Sequence, residues 1–278
     1  MIEFDAAAAA RTGYAPVNGL RMYYEIHGVQ GGGRTPVLLL HGAYMSTGAF
    51  GPLLPGLAAT RTVIVCDLQG HGRTTDADRP ITYEGLADDA AALLAHLGID
   101  QVDVVGFSIG GGAAFQLAIR HPPLVRALVP ISASSSSDGI QPELLELAPA
   151  ITPEMFAGSP LEADYRAIAP EPDRFPVLVD KLKTLDEAPY RWPDDDIRAI
   201  TAPTLVVIGD ADAVRVEHAV ELFRLLGGGA MGDLAGLPAA RLAILPGTAH
   251  FPPEGGGVLD RYEWLLAMIP PFLDTPMP

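Results

Sequence analysis

The stretch DVVGFSIGGGAAF, residues 103–115, decides how the rest of the chain is interpreted. An apolar run typical of a buried strand passes directly into glycines that are typical of a tight turn, with Ser108 at the junction. Gly106 and Gly110 stand two positions away on either side of the serine. These glycines either shape a strand-to-helix turn or clear space around a reactive hydroxyl, and the rest of the chain must decide between the two.

The composition is that of a folded, acidic chain. Hydrophobic residues make up 49% of the 278 residues and charged residues 19%, which is enough apolar material for a substantial core and excludes wholesale disorder. Lys and Arg number 18 against 34 Asp and Glu, and the resulting net charge of -16 repels a phosphate backbone. We therefore expect no nucleic-acid partner.

Cysteine usage and the absence of targeting patterns indicate the compartment. Cys66 is the single cysteine, so no internal disulfide can form, which fits a reducing environment. The start, MIEFDAAAAARTGY, lacks the basic residues and apolar stretch of a secretory signal. No apolar run approaches the roughly 20 residues that span a membrane. The expectation is a soluble, cytoplasmic protein with no membrane partner.

Apolar runs typical of buried strands alternate with helical patterns along most of the chain. This alternation favours an α/β fold with a mostly parallel sheet covered by helices on both faces. The glycine-rich segment VQGGGR, 29–34, predicts a hairpin between the first two strands. The predicted strands are 20–28, 35–42, one that begins at 61, 102–107, 124–132, 203–212 and 240–251, and the predicted helices are 81–99, 109–122, 173–185, 216–228 and 258–273.

The alternation breaks between residues 134 and 196. This segment is rich in Pro, Ser and acidic residues and holds short helical patterns such as DRFPVLVDKLKTL, 173–185. We interpret it as an insertion that lies over the ends of the sheet. The predicted organisation is a core of residues 1–133 and 197–278 with a cap of residues 134–196, and GGGAMGDLAG, 227–236, is predicted as a second loop.

Ser108 has candidate partners at the ends of two later strands. A serine hydroxyl is a poor nucleophile unless a base takes its proton and a carboxylate orients that base. Asp210 and Asp212 end the run TLVVIGDAD, and His250 ends the run LAILPGTAH. Because the carboxyl ends of parallel strands meet at one edge of a sheet, these side chains are expected beside Ser108. The G-x-S-x-G pattern at a strand–helix junction therefore favours a nucleophilic site.

These motifs resemble those of the α/β-hydrolase superfamily, in particular serine hydrolases of the haloperoxidase/esterase type with an inserted cap. The stretches that carry the resemblance are LLLHGAYMS, DLQGHGRT, GFSIGG, VIGDADAV and LPGTAHF. The resemblance implies the α/β-hydrolase fold, with an eight-stranded type of sheet and a small helical cap. It implies a triad of Ser108, Asp212 and His250, because the family's acid is the second carboxylate of a G-x-x-D turn. Asp210 is expected to hydrogen-bond the turn backbone.

The resemblance also implies an oxyanion hole made of two backbone N–H groups. One belongs to Ile109, which follows the nucleophile, and the other to Ala43, which follows His41 and Gly42. The segment reads His-Gly-Ala-Tyr where some family members have His-Gly-Gly-Gly. This departure disfavours activity on esters of tertiary alcohols.

Other residues have candidate roles for which ordinary packing is an equally good explanation. His41 and His71 are expected to pack and hydrogen-bond within loops, Cys66 to lie in the core, and the scattered histidines show no metal-binding spacing. No metal and no cofactor is therefore predicted. Apolar side chains that could line a pocket under the cap are Tyr44, Met45, Phe107, Met155, Phe156, Trp192 and Phe251.

The predicted activity is hydrolysis of a small, largely apolar carboxylic ester or lactone through an acyl-enzyme on Ser108. Haloalkane dehalogenases and epoxide hydrolases of this superfamily need a carboxylate at position 108, and dienelactone hydrolases a cysteine, so Ser108 argues against all three. Two alternatives stay open. One is a hydrolase that cleaves carbon–carbon bonds in diketones or ring-fission products. The other is a ligand-binding receptor of the same fold with slow turnover.

Overall fold

The described part of the chain is built around one sheet of eight strands. The computed structural model describes residues 11–29, 33–252 and 255–275. The strands are β1 Arg11–Val17, β2 Leu20–His27, β3 Val37–Leu40, β4 Val63–Cys66, β5 Val102–Phe107, β6 Val125–Ile131, β7 Thr204–Ala211 and β8 Ala240–Ala249. Their order across the sheet is β1-β2-β4-β3-β5-β6-β7-β8. Strand β2 is antiparallel to both of its neighbours, and the other pairs are parallel.

The central strands are buried on both faces. Every residue of β3, β4 and β5 is buried, as continuous apolar runs in parallel strands require. Leu38 and Leu40 of β3 pack into one core, whereas Val37 and Leu39 pack into the other, because successive side chains of a strand point to opposite faces. The predicted mostly parallel sheet is confirmed.

Helices cover the two faces of the sheet. Helices α2 and α3 contribute to the core on the Leu38 side, and α1 and α10 to the core on the Val37 side. The helices are α1 Leu53–Ala58, α2 Tyr83–Leu97, α3 Ile109–Arg120, α4 Pro142–Leu147, α5 Pro160–Ile168, α6 Phe175–Glu187, α7 Asp194–Arg198, α8 Val216–Leu225, α9 Gly232–Ala235 and α10 Tyr262–Asp274. Helix α2 is followed by Gly98, whose φ of 68° is left-handed, the backbone conformation that commonly ends a helix.

The hairpin predicted at residues 29–34 is wrong. Strand β2 pairs with β1 and β4, whereas β3 lies between β4 and β5. The physical reason is burial. All four residues of β3 are apolar and buried, which suits the centre of the sheet, while β2 keeps exposed and half-buried positions that suit a place near the edge. Strand β1 and helix α1 were not predicted, and the predicted loop 227–236 contains the short helix α9.

The segment between β6 and β7 contains the four helices α4 to α7. Helix α6 buries Phe175, Leu178, Val179 and Leu182, and these side chains belong to the same core as α2 and α3. This packing fixes one side of the segment to the rest of the molecule. Residues 134 and 196 stay predicted boundaries for a cap.

Candidate active site

Ser108 stands between the last residue of β5 and the first residue of α3, in a strained turn. Its φ of 56° and ψ of -120° lie in a region that few residues other than glycine adopt, and such strain persists only where the surroundings impose it. The backbone N–H of Ser108 donates to the Ile131 carbonyl at 2.9 Å, and the Ser108 carbonyl accepts from the Gly112 N–H at 3.0 Å. These bonds hold the turn at the carboxyl edge of the sheet.

The turn leaves no room for a side chain at Gly106 or at Gly110. A Cβ atom on Gly106 would stand 2.2 Å from the Gly110 carbonyl oxygen, and one on Gly110 would stand 2.2 Å from the Leu40 carbonyl oxygen. Both distances are far inside van der Waals contact. The glycines therefore close the strand-to-helix turn and at the same time keep the space around Ser108 clear.

His250 follows β8 and contacts Ser108 directly. Its Nε2 atom lies 3.0 Å from the Ser108 Oγ, and its side chain is 25% exposed. The imidazole packs against the Phe107 ring, with 4.9 Å between ring centroids. Strand order brings the two residues together, because β5 and β8 run parallel and end at the same edge of the sheet. The distance suits proton transfer from the hydroxyl to the imidazole.

Asp212 follows β7 and contacts the other nitrogen of His250. Its Oδ1 atom lies 2.8 Å from His250 Nδ1 and accepts from the Val214 N–H at 3.1 Å. Its Oδ2 atom accepts from the Gly209 N–H at 3.1 Å and from the Ser132 hydroxyl. Burial alone would raise the pKa of Asp212, but the interactions with His250 and the other donors bring it below its usual value. The buried carboxyl is therefore ionised at neutral pH.

Asp210 has a different environment. It is exposed, and its Oδ1 accepts from the Thr248 N–H at 3.1 Å, which links the ends of β7 and β8. Hydrogen bonds from this backbone lower the pKa of Asp210. Of the two carboxyls that the sequence placed here, Asp212 is the one that contacts His250, and Asp210 hydrogen-bonds the backbone.

The two candidate oxyanion donors lie at the same edge of the sheet. Ile109 begins α3, and Ala43 comes three residues after β3. His41 Nδ1 lies 2.8 Å from the Gly42 carbonyl oxygen, and His41 Nε2 accepts from the Leu68 N–H at 3.0 Å. His41 thus holds the peptide plane that contains the Ala43 N–H. In a trans peptide this N–H points away from the carbonyl and hence away from His41.

Two cavities meet at His250. The Ser108 cavity, with an empty volume of about 730 Å³ that includes its mouth, is bordered by Ser108, Ile109, Tyr83, Tyr190 and Asp186 among others. The Tyr44 cavity, of about 830 Å³ together with its mouth, is bordered by Tyr44, Met45 and Phe251 among others. His250 therefore borders both cavities, whereas Ser108 borders only the Ser108 cavity.

The structure separates the predicted pocket residues into two groups. Tyr44, Met45 and Phe251 border the Tyr44 cavity. Phe107 and Trp192 do not border either cavity, because Phe107 is 1% exposed under the His250 ring and Trp192 is 7% exposed against Tyr83, Phe115 and Tyr190. The other two apolar candidates are also outside the cavities: Met155 is exposed, and Phe156 packs against Tyr44 and Phe175.

His41 and His71 are buried, as predicted, and lie edge to face with 5.1 Å between ring centroids. Burial lowers the pKa of His41 to about 4 and that of His71 to about 3. Both imidazoles are therefore neutral at physiological pH and serve as hydrogen-bonding core residues. Cys66 lies in the core as well.

Within residues 11–29, 33–252 and 255–275, no three His, Cys, Asp or Glu side chains come together in a way that could hold a metal ion. The helices of the same ranges include none that combines the length and apolar character needed to cross a membrane.

Sequence reasoning missed several side chains at the site. Ser132 directly follows β6, so the rule that singled out Asp212 and His250 also applied to it. Tyr83, Asp186 and Tyr190 border the Ser108 cavity but come from α2, α6 and the segment before α7. No spacing along the chain connects these three residues.

Comparison with known proteins identifies the family. The family model of the alpha/beta hydrolase fold matches residues 35–189, which is more than half of the chain. The chain belongs to the alpha/beta hydrolase fold family. The matched range contains Ser108 and ends before Asp212 and His250, so these two members of the site rest on the geometry of this hydrolase-fold chain.

Proteins that are similar to this chain carry different names. A soluble epoxide hydrolase of Corynebacterium sp. (strain C12) is 38% identical over 117 residues, which are 41% of this chain and only 38% of that enzyme. A 2-hydroxymuconate semialdehyde hydrolase of Pseudomonas sp. (strain CF600) is 29% identical over 64% of this chain and 71% of its own. The crystal structure of the enol-lactonase from Burkholderia xenovorans LB400 is 21% identical, covers 94% of this chain and 100% of its own, and has a TM-score of 0.69. This last likeness concerns the fold.

Proposed function

We propose that this protein is a serine hydrolase that cleaves small carboxylic esters or lactones through an acyl-enzyme on Ser108. The observation that supports it is the continuous chain of contacts from Ser108 Oγ to His250 Nε2, at 3.0 Å, and from His250 Nδ1 to Asp212 Oδ1, at 2.8 Å. Nucleophile, base and orienting carboxylate are the three parts that serine hydrolysis requires.

The proposed reaction has two halves. Ser108 Oγ attacks the carbonyl carbon while its proton moves to His250 Nε2, and the ionised Asp212 stabilises the imidazolium that forms. The carbon–oxygen bond to the leaving group then breaks, and His250 returns the proton to the departing alkoxide. Water next attacks the acyl-enzyme in the same manner and releases the carboxylic acid. The backbone N–H groups of Ile109 and Ala43 would stabilise each oxyanion, and one such donor is worth about 3 kcal/mol of barrier.

The two cavities support a small substrate. Ser108 borders one and His250 borders both, so an acyl group in the Ser108 cavity and a leaving group in the Tyr44 cavity would each have a place. Bulk lipid is disfavoured, since the sequence has no basic amphipathic helix for an anionic lipid surface. With its single cysteine, the chain also fits the reducing cytoplasm that we propose as its location.

The test is hydrolysis of p-nitrophenyl acetate, butyrate and octanoate by the wild type and by Ser108→Ala. We expect kcat/KM to fall at least about 1,000-fold in the variant, because without the nucleophile only positioning effects survive. Ser135→Ala is a matched control: its hydroxyl is buried near the site but contacts His218 at 3.3 Å, so activity should persist. Full activity of folded Ser108→Ala would exclude the acyl-enzyme.

A carbon–carbon hydrolase is the second candidate. The relative named 2-hydroxymuconate semialdehyde hydrolase favours it, because a semialdehyde has no ester bond and water can cleave it only between carbons. Cleavage of a dienol-type ring-fission product at a rate that exceeds that of the p-nitrophenyl esters, lost in Ser108→Ala, would support this candidate over the esterase. Epoxide opening remains disfavoured, because its covalent form requires a carboxylate where Ser108 stands.

A further inference from the structure

Asp186 places a negative charge at the Ser108 cavity. It is the one carboxylate among the described residues that border this cavity, and no Lys or Arg is among them. Within residues 11–29, 33–252 and 255–275, the Asp186 carboxylate takes part in no hydrogen bond and no ion pair, although other acids of the segment such as Asp173 and Glu162 pair with arginine. The cavity therefore contains an anionic group that the described residues leave uncompensated.

The position of Asp186 is unfavourable for a carboxylate. It lies in the last turn of α6, a helix without a basic residue there, where the partial negative charge of the helix end repels an anion. Asp186 is an exposed residue, and it borders the Ser108 cavity. The surrounding protein nevertheless reduces its hydration enough to raise its pKa to about 6. At neutral pH the carboxylate is still ionised and lacks a partner.

Two tyrosines border the Ser108 cavity together with Asp186. The rings of Tyr83 and Tyr190, which border the same cavity, lie 5.0 Å apart at 48°. Burial raises the pKa of Tyr83, Tyr190 and Tyr44, and the nearby charge of Asp186 raises each further, so all three phenols are neutral. A carboxylate and electron-rich rings that border one cavity are the groups that stabilise a bound cation.

We propose that Asp186, Tyr83 and Tyr190 bind a positively charged nitrogen on the acyl part of the substrate and so select cationic esters over neutral ones. This inference rests on the proposed function, because it names the substrate class for the same serine. The net charge of -16 works in the same direction, since it attracts cations to the protein from a distance. A cation within the cavity would supply the partner that the Asp186 carboxylate lacks.

The test compares two p-nitrophenyl esters of equal shape. One carries a 4-trimethylammoniobutanoyl group, and the other a 5,5-dimethylhexanoyl group, in which carbon replaces the charged nitrogen. We expect the wild type to have a higher kcat/KM for the cationic ester and Asp186→Asn to lower that value about 10- to 100-fold. The neutral ester should change less than about threefold. Asp180→Asn is the matched control, because Asp180 is an exposed carboxylate of the same helix that does not border the Ser108 cavity.

The ratio of the two kcat/KM values gives a second readout. Both esters depend equally on His250, so its titration cancels in the ratio. Among the described residues, the other titratable groups that respond to the Asp186 charge are Tyr44, Tyr83 and Tyr190, and their raised pKa values keep them neutral at and below neutral pH. The preference for the cationic ester should therefore be greatest above the Asp186 pKa of about 6 and decline as the pH falls below it. Asp186→Asn should abolish this decline.

Direct binding separates this inference from the proposed function. Calorimetric titration of Ser108→Ala with butyltrimethylammonium should give a Kd that rises about tenfold or more when Asp186→Asn is added. If neutral esters are hydrolysed through Ser108 but the cationic ester has no Asp186-dependent advantage, the inference is wrong and the proposed function stands. If no ester is hydrolysed but the cation binds through Asp186, the proposed function is wrong and the cation site stands. Equal binding with and without Asp186→Asn would refute the cation site.

Discussion

Replacing Asp212 by Asn tests the proposed triad most sharply, because every oxygen lone pair that Asp212 uses is accounted for. Its Oδ1 accepts from His250 Nδ1 and the Val214 N–H, and its Oδ2 accepts from the Gly209 N–H and the Ser132 hydroxyl. An amide keeps one oxygen and replaces the other by an NH₂ group, which can only donate. In either orientation, one backbone N–H therefore faces a second donor.

The two orientations of the new amide in Asp212→Asn differ in their effect on His250. With NH₂ in the place of Oδ2, the Ser132 hydroxyl can rotate and accept, and only the Gly209 N–H loses its partner. With NH₂ in the place of Oδ1, His250 Nδ1 must become the acceptor, so the proton moves to Nε2. That tautomer cannot take the proton of Ser108. Both orientations also remove the negative charge that stabilises the imidazolium.

We expect kcat for p-nitrophenyl butyrate to fall about 1,000- to 10,000-fold, which corresponds to about 4 to 5.5 kcal/mol of barrier. The unsatisfied buried N–H should lower the free energy of unfolding by about 1 to 3 kcal/mol. The assay is steady-state kinetics at pH 7.5 together with urea unfolding of each variant. Asp210→Asn makes the same chemical change two residues away and should keep kcat within about threefold, since Asp210 contacts the Thr248 backbone and not His250.

The opposite pattern would refute the reasoning. If Asp212→Asn retained kcat within tenfold of the wild type while Asp210→Asn lost it, Asp210 would be the orienting acid. If neither variant lost activity, the base would not depend on a carboxylate.

Two further predictions concern the scaffold. Gly110→Ala should lower the free energy of unfolding by about 2 to 3 kcal/mol, because the new Cβ would stand 2.2 Å from the Leu40 carbonyl oxygen. In the control variant Gly48→Ala the new Cβ meets only an ordinary contact at 3.7 Å. Urea unfolding compares the two variants, and equal stability would contradict the packing argument. The pKa of His41 is about 4 in the fold and about 6.5 when unfolded, so the unfolded state binds the proton first and stability is lost as the pH falls below 6.5. The difference in unfolding free energy between the wild type and His41→Gln should therefore shrink by about 1.4 kcal/mol per pH unit between about pH 6 and pH 4.5, and a constant difference would show that His41 is not buried as a neutral base.

Much of the fold could be predicted from local pattern. Continuous apolar runs identified the parallel strands, and the junction at Ser108 identified the edge at which the candidate site lies. The pairing of the first strands could not be predicted in this way. A glycine-rich connection such as VQGGGR is compatible with a hairpin, but the position of β3 depends on how much apolar surface each strand buries in the whole sheet.

Some of the candidate site residues could likewise be predicted from local pattern, and others could not. Ser108, Asp212 and His250 each stand directly after a strand, so chain order and the rule for parallel strands were enough to place them together. The preference for Asp212 over Asp210 came from a resemblance, and the contact at 2.8 Å is a property of the folded backbone. Phe107 and Trp192 were predicted at a pocket and lie in the core instead, because an apolar side chain has the same pattern in either place.

The sequence by itself determined the fold class, the edge of the sheet that holds the candidate site and the chemical types of its three central side chains, because these depend on residue type and on spacing within single elements. Only the tertiary structure decided the strand order, the partners of Asp212 and the surroundings of Asp186. Those surroundings come from α2, α6 and the segment before α7, whose separation along the chain leaves no periodic pattern. Their meeting is set by the packing of side chains that are distant in sequence, and a linear pattern does not encode that packing.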